Sequence, residues 1–324
     1  MTRARNVGSR LPDAITDPST GRRISLLDWK AANLRASWFL TVGMVVLLGG
    51  LGWLIGYVFE PGLAGLFLGI AVVIGLGQSA AAFYASDTMV LSVAGARPAT
   101  QDEHRFLVNV SEAVAIGAGV PAPRVYVIDN PAPNAFATGR DPQHGTIAVT
   151  TGLMSLLDRQ ELEGVVAHEM AHIRNYDVRF MSMLAATVGA VVLLRDVALR
   201  GMRFGALGRR RGGGSSGGGR GQIVAMLLLV VLLVLAPILA LALRMAVSRR
   251  REFLADATGA YITRNPEGLA LALEKLRDFR GAPMKVSEGV AHMFFTNPTA
   301  RLNANGWFAT HPPLQDRINR LRRM

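Results

Sequence analysis

The hydrophobic positions of this chain fall into four apolar stretches separated by polar segments. They cover residues 36–59, 62–84, 181–194 and 223–243. The first, second and fourth are as long as the roughly 20 residues that a helix needs to cross a bilayer. The third is interrupted by Arg195 and Asp196, so it predicts either a short, tilted or shielded membrane helix or a buried core helix.

The polar segments carry the patterns of a folded domain. Thr100 with Glu103 is a capping box that opens a helix over 101–118. A second helix is predicted to start near Asp158, whose side chain can cap it while Glu161 completes a capping box. Runs of β-branched and aromatic residues bounded by turns predict strands of a small sheet, at 124–128 and 146–150. Three more helices are expected later in the chain, over 250–261, over 266–280 and from Pro313 onward.

These patterns divide the chain into five parts. We predict a basic N-terminal tail (1–35), a two-span membrane hairpin (36–84), the first half of a soluble domain (85–180), the third and fourth apolar segments (181–243) and the second half of the domain (244–324). A Gly/Ser/Arg stretch at 207–222 cannot bury a core and is expected to be a flexible connection. The first apolar run is too long for a signal peptide and lacks a cleavage signal, so it predicts a retained anchor.

Composition supports a membrane protein. Half of the residues are hydrophobic and the mean hydropathy is positive, which few soluble enzymes show. The net charge of +12 comes largely from arginines beside the apolar stretches. We interpret this charge as membrane-surface and topology charge and expect no nucleic-acid partner, because no aromatic-interleaved basic patch accompanies it. The chain has no cysteine, so a metal must be held by His and carboxylates.

The string HEMAH, from His168 to His172, carries the clearest chemistry. On a helix, positions i and i+4 share a face, so the two imidazoles can bind one metal ion. Glu169 then points toward a water at that metal and can act as its general base. This is the minimal set of groups for zinc-assisted hydrolysis, although a catalytic zinc normally has a third protein ligand and an open fourth position.

Glu252 is the best candidate for the third ligand. It lies in a predicted helix, with Asp256 four residues later on the same face. Asp256 can accept the second N–H of a ligating imidazole and fix its tautomer. Asp177 and Glu163 are weaker candidates for the third ligand.

The positions of the ligands relative to the apolar segments predict where the site lies. His172 comes nine residues before segment 181–194, and Glu252 follows segment 223–243 by nine residues, about 14 Å if helical. We therefore expect the zinc near the membrane surface, with both segments crossing or neither. The basic N-terminus places the site on the cytoplasmic side. Arginines at 200–220 oppose that orientation if both segments cross.

Several motifs in order resemble the HtpX-type membrane metalloproteases, which are relatives of the CAAX prenyl proteases. They are Pro133 to Gly139 (PNAFATG), HEMAH, Arg251-Glu252-Phe253 with Ala255-Asp256, and His311-Pro312-Pro313 followed by Arg317. The resemblance covers most of the chain. It implies a mainly α membrane protein with up to four transmembrane helices and an α+β zincin-like (gluzincin) catalytic domain that contains a small β-sheet.

The resemblance also implies roles for individual residues. His168, His172 and Glu252 hold one Zn²⁺ per subunit, and Glu169 is the general base. The PNAFATG segment lines the substrate cleft at Asn134, Ala135, Phe136, Ala137 and Gly139, where an exposed strand edge would bind an extended peptide. A plain turn is the alternative for this segment. His311 and Arg317 approach the metal from the far side and stabilise the oxyanion. From its position before two prolines alone, His311 is a helix-entry residue.

The implied function is an endopeptidase in the cell membrane that cleaves misfolded or damaged membrane proteins on the cytoplasmic side, often under stress, and also itself. Two alternatives stay open. One is a processing protease for lipidated or other specific membrane-associated peptides. The other is a membrane scaffold with a non-catalytic zinc site, which Glu169 argues against because a structural site needs no base. The physiological substrates and the oligomeric state are left open.

Overall fold

The structure, a computed structural model, describes residues 14–16, 23–184, 249–282, 284, 293–296 and 312–324. The first two apolar stretches lie within these residues. The fourth stretch, most of the third, the Gly/Ser/Arg connection and His311 lie outside them. The predicted third and fourth membrane crossings therefore stay predictions.

Two long helices contain nearly all of the first two apolar stretches. Helix α1 is Leu26–Phe59 and helix α2 is Ala64–Val93, joined by a short 3-10 turn at Pro61–Leu63. Both are long and apolar enough to cross a membrane. Large apolar side chains on them are exposed, among them Phe39 (76%) and Val73 (68%), as expected of surfaces that face lipid.

The described residues form two compact units. One consists of 35–86 and 182–184. The other contains 14–16, 23–34, 87–181 and everything described from 249 onward. This second unit includes part of the predicted basic tail, in which β1 (Ala14–Thr16) and β2 (Arg23–Ser25) form an antiparallel hairpin. Apolar contacts hold this hairpin in place, because Ile15 and Leu26 are buried against Leu254 and Ala257.

A four-stranded mixed sheet lies in the second unit. Its strands are β3 (Ala96–Pro98), β4 (Arg124–Ile128), β5 (Ala135–Thr138) and β6 (Thr146–Thr150), in the order β3-β4-β6-β5. The pair β4/β6 is parallel, and β3/β4 and β5/β6 are antiparallel. The two strands predicted from sequence are confirmed with their limits. Strand β5, from the PNAFATG segment, ends the sheet next to the HEMAH helix.

Helices cover this sheet and surround the HEMAH helix. They are α3 (Gln101–Ala118), α4 (Thr151–Leu156), α5 (Arg159–Arg174), α6 (Arg249–Thr263), α7 (Pro266–Asp278) and α8 (Leu314–Leu321). Helix α5 carries HEMAH and contacts α3, α6, α7 and β5. It begins at a capping box in which Asp158 and Glu161 bond to each other's backbone N–H, as the sequence predicted.

Two glycines allow the helices around α5 to approach closely. A Cβ added at Gly164 of α5 would lie 2.7 Å from the backbone nitrogen of Leu269 in α7. A Cβ added at Gly259 of α6 would lie 3.0 Å from the backbone nitrogen of His168. The second contact places α6, which carries Glu252, directly against the HEMAH turn.

Replacing Gly164 by Ala is expected to lower the free energy of unfolding by about 1–3 kcal/mol, because the methyl group meets backbone rather than a side chain that can move. Equilibrium denaturation in detergent, followed by tryptophan fluorescence, measures this. Gly69→Ala is the control, since its methyl group meets open space. Equal stability of the two variants would contradict the predicted close packing of α5 and α7.

Candidate metal centre and active site

Helices α5 and α6 bring the three predicted metal ligands together. His168, His172 and Glu252 are buried, and their ligand atoms lie within 4.8 Å of one another. The two Nε2 atoms are 3.2 Å apart, and each is 3.7 Å from a carboxylate oxygen of Glu252. Ligands of a tetrahedral zinc stand about 3.3 Å apart for bonds of about 2.0–2.1 Å. The donor set and its spacing therefore fit a zinc ion.

Each imidazole is held on its other side by an aspartate. Nδ1 of His168 lies 2.9 Å from Oδ1 of Asp256, which is the contact suggested by the position of Asp256 one turn after Glu252. Nδ1 of His172 lies 2.9 Å from Oδ2 of Asp177. With each Nδ1–H donated to a carboxylate, both Nε2 atoms face the space between the histidines.

Each aspartate is in turn bonded to a buried arginine. Arg317 donates from Nε to Oδ2 of Asp256 at 2.8 Å, and from a terminal nitrogen to Oδ1 at 2.6 Å. Arg251 donates from Nε to Oδ1 of Asp177 at 2.9 Å. Burial alone would raise the pKa of both aspartates, but the arginines and the hydrogen bonds hold each pKa below its usual range. Both carboxylates are therefore ionised at neutral pH.

The end of α5 brings Asp177 back to His172. The helix stops at Arg174, and Tyr176 has a positive φ of 61°, an uncommon conformation for a residue with a side chain. This left-handed turn reverses the chain direction. Asp177 was predicted as a weaker candidate for the third ligand. The structure places its carboxylate on the Nδ1 side of His172, facing away from the other histidine.

Burial and neighbouring charges separate the pKa values of the two histidines. Burial, with Arg317 acting in the same direction, lowers the pKa of His168 to about 4 despite Asp256. Burial also disfavours charge on His172, but Asp177 and Glu252 raise its pKa to about 9. Without metal, His172 therefore carries a proton at neutral pH while His168 is neutral.

Glu169 lies beside the three ligands, and the pKa of its carboxyl group is raised. Burial, reinforced by the charge of Glu252, raises its pKa to about 7, although His172 and the backbone N–H of Ala137 oppose the shift. A carboxyl group that titrates near neutral pH is suited to accept and return a proton. Glu169 also lines a cavity of about 10 Å³ together with His168, His172 and Glu252, which is room for about one water molecule.

The edge of β5 is not exposed, contrary to the sequence prediction. Phe294 pairs with Phe136 in an antiparallel bridge, and the N–H of Phe295 donates to the carbonyl of Ala135 at 2.7 Å. The Asn134 side chain adds two bonds to the Thr296 backbone. We call residues 293–296 the cover segment, because they hide the predicted cleft residues Asn134 to Ala137, all of which are buried.

The other predicted site residues have varied positions. Arg317 lies 3.3 Å from Nδ1 of His168, on the side of the ring away from Nε2, and the oxyanion role stays a prediction that this geometry does not favour. Glu163 pairs with Arg159 and is not in the metal-binding group. Gly139, with a φ of 140°, is the turn that follows β5. His311 lies outside the described residues.

Sequence reasoning missed four contributors to the site. They are Trp29 and Asn33 of α1, which bond to Asp177, Arg251, and the cover segment. Arg251 was named only as part of the motif Arg251-Glu252-Phe253, without a role of its own. None of these contacts follows from a local pattern, because each joins positions far apart in the chain.

This chain is similar to known proteins over most of its length. The sequence model of Peptidase family M48 matches residues 101–324. A "Protease HtpX homolog" of Caldanaerobacter subterraneus subsp. tengcongensis is 43% identical over 299 residues, covering 92% of this chain and 97% of that protein. The Streptococcus gordonii homolog is 38% identical over 299 residues, covering 92% and 100%. The crystal structure of S. mikatae Ste24p is similar with a TM-score of 0.49 and 19% identity, covering 90% of this chain and 67% of that chain.

Zinc binding at about pH 8 is expected to release about one proton, because His172, with a pKa of about 9, must become neutral to bind metal. His168 contributes none, since its pKa of about 4 leaves it neutral already. Calorimetric titrations in buffers of different ionisation enthalpy measure the release. It should fall by more than half above the pKa of His172. A release that does not change with pH would show that His172 binds zinc without losing a proton.

Proposed function

The chain belongs to Peptidase family M48, and we propose that it is a zinc endopeptidase that cleaves proteins of the membrane in which it resides. Membership of this family confirms the predicted resemblance to HtpX-type metalloproteases. The chain is therefore a membrane metalloprotease. Zinc, the roles of individual residues and the substrate class are our proposals. The observation that supports them best is the buried group of His168, His172 and Glu252 with Glu169 beside it.

We assign the metal to His168, His172 and Glu252. These residues would hold a zinc ion, which would supply Lewis-acid chemistry there by lowering the pKa of a water molecule and polarising the scissile carbonyl. Asp256 and Asp177 fix the tautomers that present Nε2. The absence of cysteine suits a catalytic set of imidazole and carboxylate ligands.

We assign the proton transfer to Glu169. Its carboxylate takes a proton from the attacking water and returns it to the leaving amine. Burial of the side chain, which raises the pKa of Glu169 in the metal-free site, suits a carboxyl group that must both accept and return a proton. Burial of the carboxylate also excludes bulk water that would compete for the proton.

Replacing Glu169 by Gln should leave zinc content unchanged and lower kcat by about 10²- to 10⁴-fold. Glu252→Ala should instead weaken zinc binding by more than the roughly 10- to 100-fold that loss of an outer partner costs. Metal analysis, together with hydrolysis of an unfolded test protein by the purified full-length chain, separates the two effects. Wild-type cleavage by Glu169→Gln would overturn the mechanism, and undiminished zinc in Glu252→Ala would remove that ligand.

We propose that the enzyme resides in the cell membrane with its catalytic site toward the cytoplasm. We further propose that its role is the removal of misfolded or damaged membrane proteins. Two apolar helices long enough to span support the membrane location. The basic residues before the first span support the orientation. Self-cleavage belongs to the same proposal, because it needs only an unfolded segment of a second copy.

The cover segment indicates how substrate reaches the site. It occupies the outer edge of β5, where an extended peptide would pair, and the cavity beside the ligands holds about one water. We infer that a substrate strand replaces residues 293–296 along β5. Because Phe294 and Phe295 are buried, a substrate with large apolar side chains compensates best for their displacement. Such segments are exposed when membrane proteins misfold.

Phe294→Ala should lower KM for an extended apolar peptide by about 2- to 10-fold and leave kcat unchanged, because it removes the aromatic contact with Phe136. Such contacts contribute about 0.5–1.5 kcal/mol. Steady-state kinetics on a fluorogenic peptide measure the change. Phe106→Ala, at an exposed aromatic residue of α3, is the control. An unchanged or raised KM in Phe294→Ala would show that the cover segment does not compete with substrate.

A further inference from the structure

The first turns of α1 contact the turn that follows the HEMAH helix. Asn33 donates from Nδ2 to Oδ1 of Asp177 at 2.6 Å and to the carbonyl of Asn175 at 3.0 Å. Trp29 donates from Nε1 to the same Oδ1 at 3.0 Å. The Lys30 ammonium lies 4.4 Å from the centre of the Tyr176 ring. Three consecutive residues of this turn are therefore held by the start of α1.

The same contacts extend to α6. The side-chain carbonyl of Asn33 accepts a hydrogen bond from Arg251 at 3.1 Å, while Nε of Arg251 donates to Asp177. Arg251 directly precedes Glu252. Asn33 therefore hydrogen-bonds to Asp177, which holds His172, and to Arg251, which directly precedes Glu252.

Because the hydrogen bonds around Asp177 are buried, they fix the orientation of its carboxylate. Asn33, Asp177 and Arg251 are 4%, 1% and 6% exposed. Oδ1 of Asp177 accepts three hydrogen bonds, from Trp29, Asn33 and Arg251, and Oδ2 is directed at Nδ1 of His172. A carboxylate bonded in this way cannot rotate without breaking several buried hydrogen bonds. The imidazole that it holds is correspondingly fixed.

We propose that Trp29 and Asn33 are positioning residues of the metal centre, which act through Asp177 to hold Nε2 of His172 toward the metal. This inference rests on the proposed zinc site and deepens it. Both residues lie before the region that the family model matches, which begins at residue 101. They lie near the start of α1, within the first candidate membrane span, which begins at Leu26. The start of that helix is thus part of the metal site as well as of a membrane anchor.

The test is zinc affinity, measured on the full-length protein in detergent by competition with a chromogenic zinc chelator. Trp29→Phe keeps an aromatic ring and removes the N–H donor, and Asn33→Leu keeps the side-chain size and removes both polar groups. Each should weaken zinc binding on the order of 10-fold. Leu27→Ala, at a residue of the same helix that is 66% exposed, should bind as wild type does. If Asn33→Leu does not fold, Trp29→Phe decides alone.

A double-mutant cycle separates positioning from general stabilisation. If Asn33 acts through Asp177, adding Asn33→Leu to Asp177→Asn should cause no further loss of zinc affinity. A further loss of the same size as in the single variant would overturn the inference, as would wild-type affinity in both Trp29→Phe and Asn33→Leu. A wild-type protein that binds no zinc would instead refute the proposed function itself.

Discussion

Two imidazole nitrogens 3.2 Å apart, each presenting a lone pair in a buried pocket, repel each other unless a cation lies between or beside them. In the metal-free protein that cation is the proton on His172, whose pKa is raised to about 9. In the proposed enzyme it is the metal ion. Rotation of one imidazole ring would also relieve this repulsion, but the rest of the site prevents it. Asp256 and Asp177 bind both Nδ1–H groups, and Arg317 and Arg251 fix the aspartates.

Charge balance explains why this arrangement is stable when buried. Among the described groups, Arg251, Arg317 and protonated His172 match the charges of Asp177, Asp256 and Glu252, provided that Glu169 is protonated. The raised pKa of Glu169 expresses this condition. A divalent ion together with the two arginines would balance all four carboxylates when both histidines are neutral. Metal binding would therefore displace the protons of His172 and Glu169. Buried charges that match in number and in hydrogen bonds avoid the large cost of an unpaired ion.

Local features of the sequence predict the centre of this site but not its outer contacts. The i, i+4 histidines, and Asp256 one turn after Glu252, follow from helix geometry alone, and the capping box predicts where α5 begins. The contact between Asp177 and His172 depends on a left-handed Tyr176, which no pattern of residue types specifies. Trp29 and Asn33 reach Asp177 across well over 100 residues. The pairing of the β5 edge with Phe294 was not predicted, because it joins two positions far apart in the chain that share no local pattern.

If substrate displaces the cover segment as proposed, the cover segment limits the kind of peptide that can bind along β5. The backbone of the cover segment bonds to the carbonyl of Ala135 and to the side chain of Asn134. The backbone of a substrate strand offers the same donors and acceptors, so exchanging one for the other would change the hydrogen-bond balance little. The difference lies in the side chains, because Phe294 packs on Phe136 and Phe295 packs on His168. Displacing them exposes apolar surface, at about 25 cal/mol per Å², unless the incoming strand buries as much. A polar, folded surface loop offers neither an extended backbone nor that apolar area. In the proposed mechanism, selection against well-folded proteins would follow from the competition for one strand edge and would require no separate recognition domain.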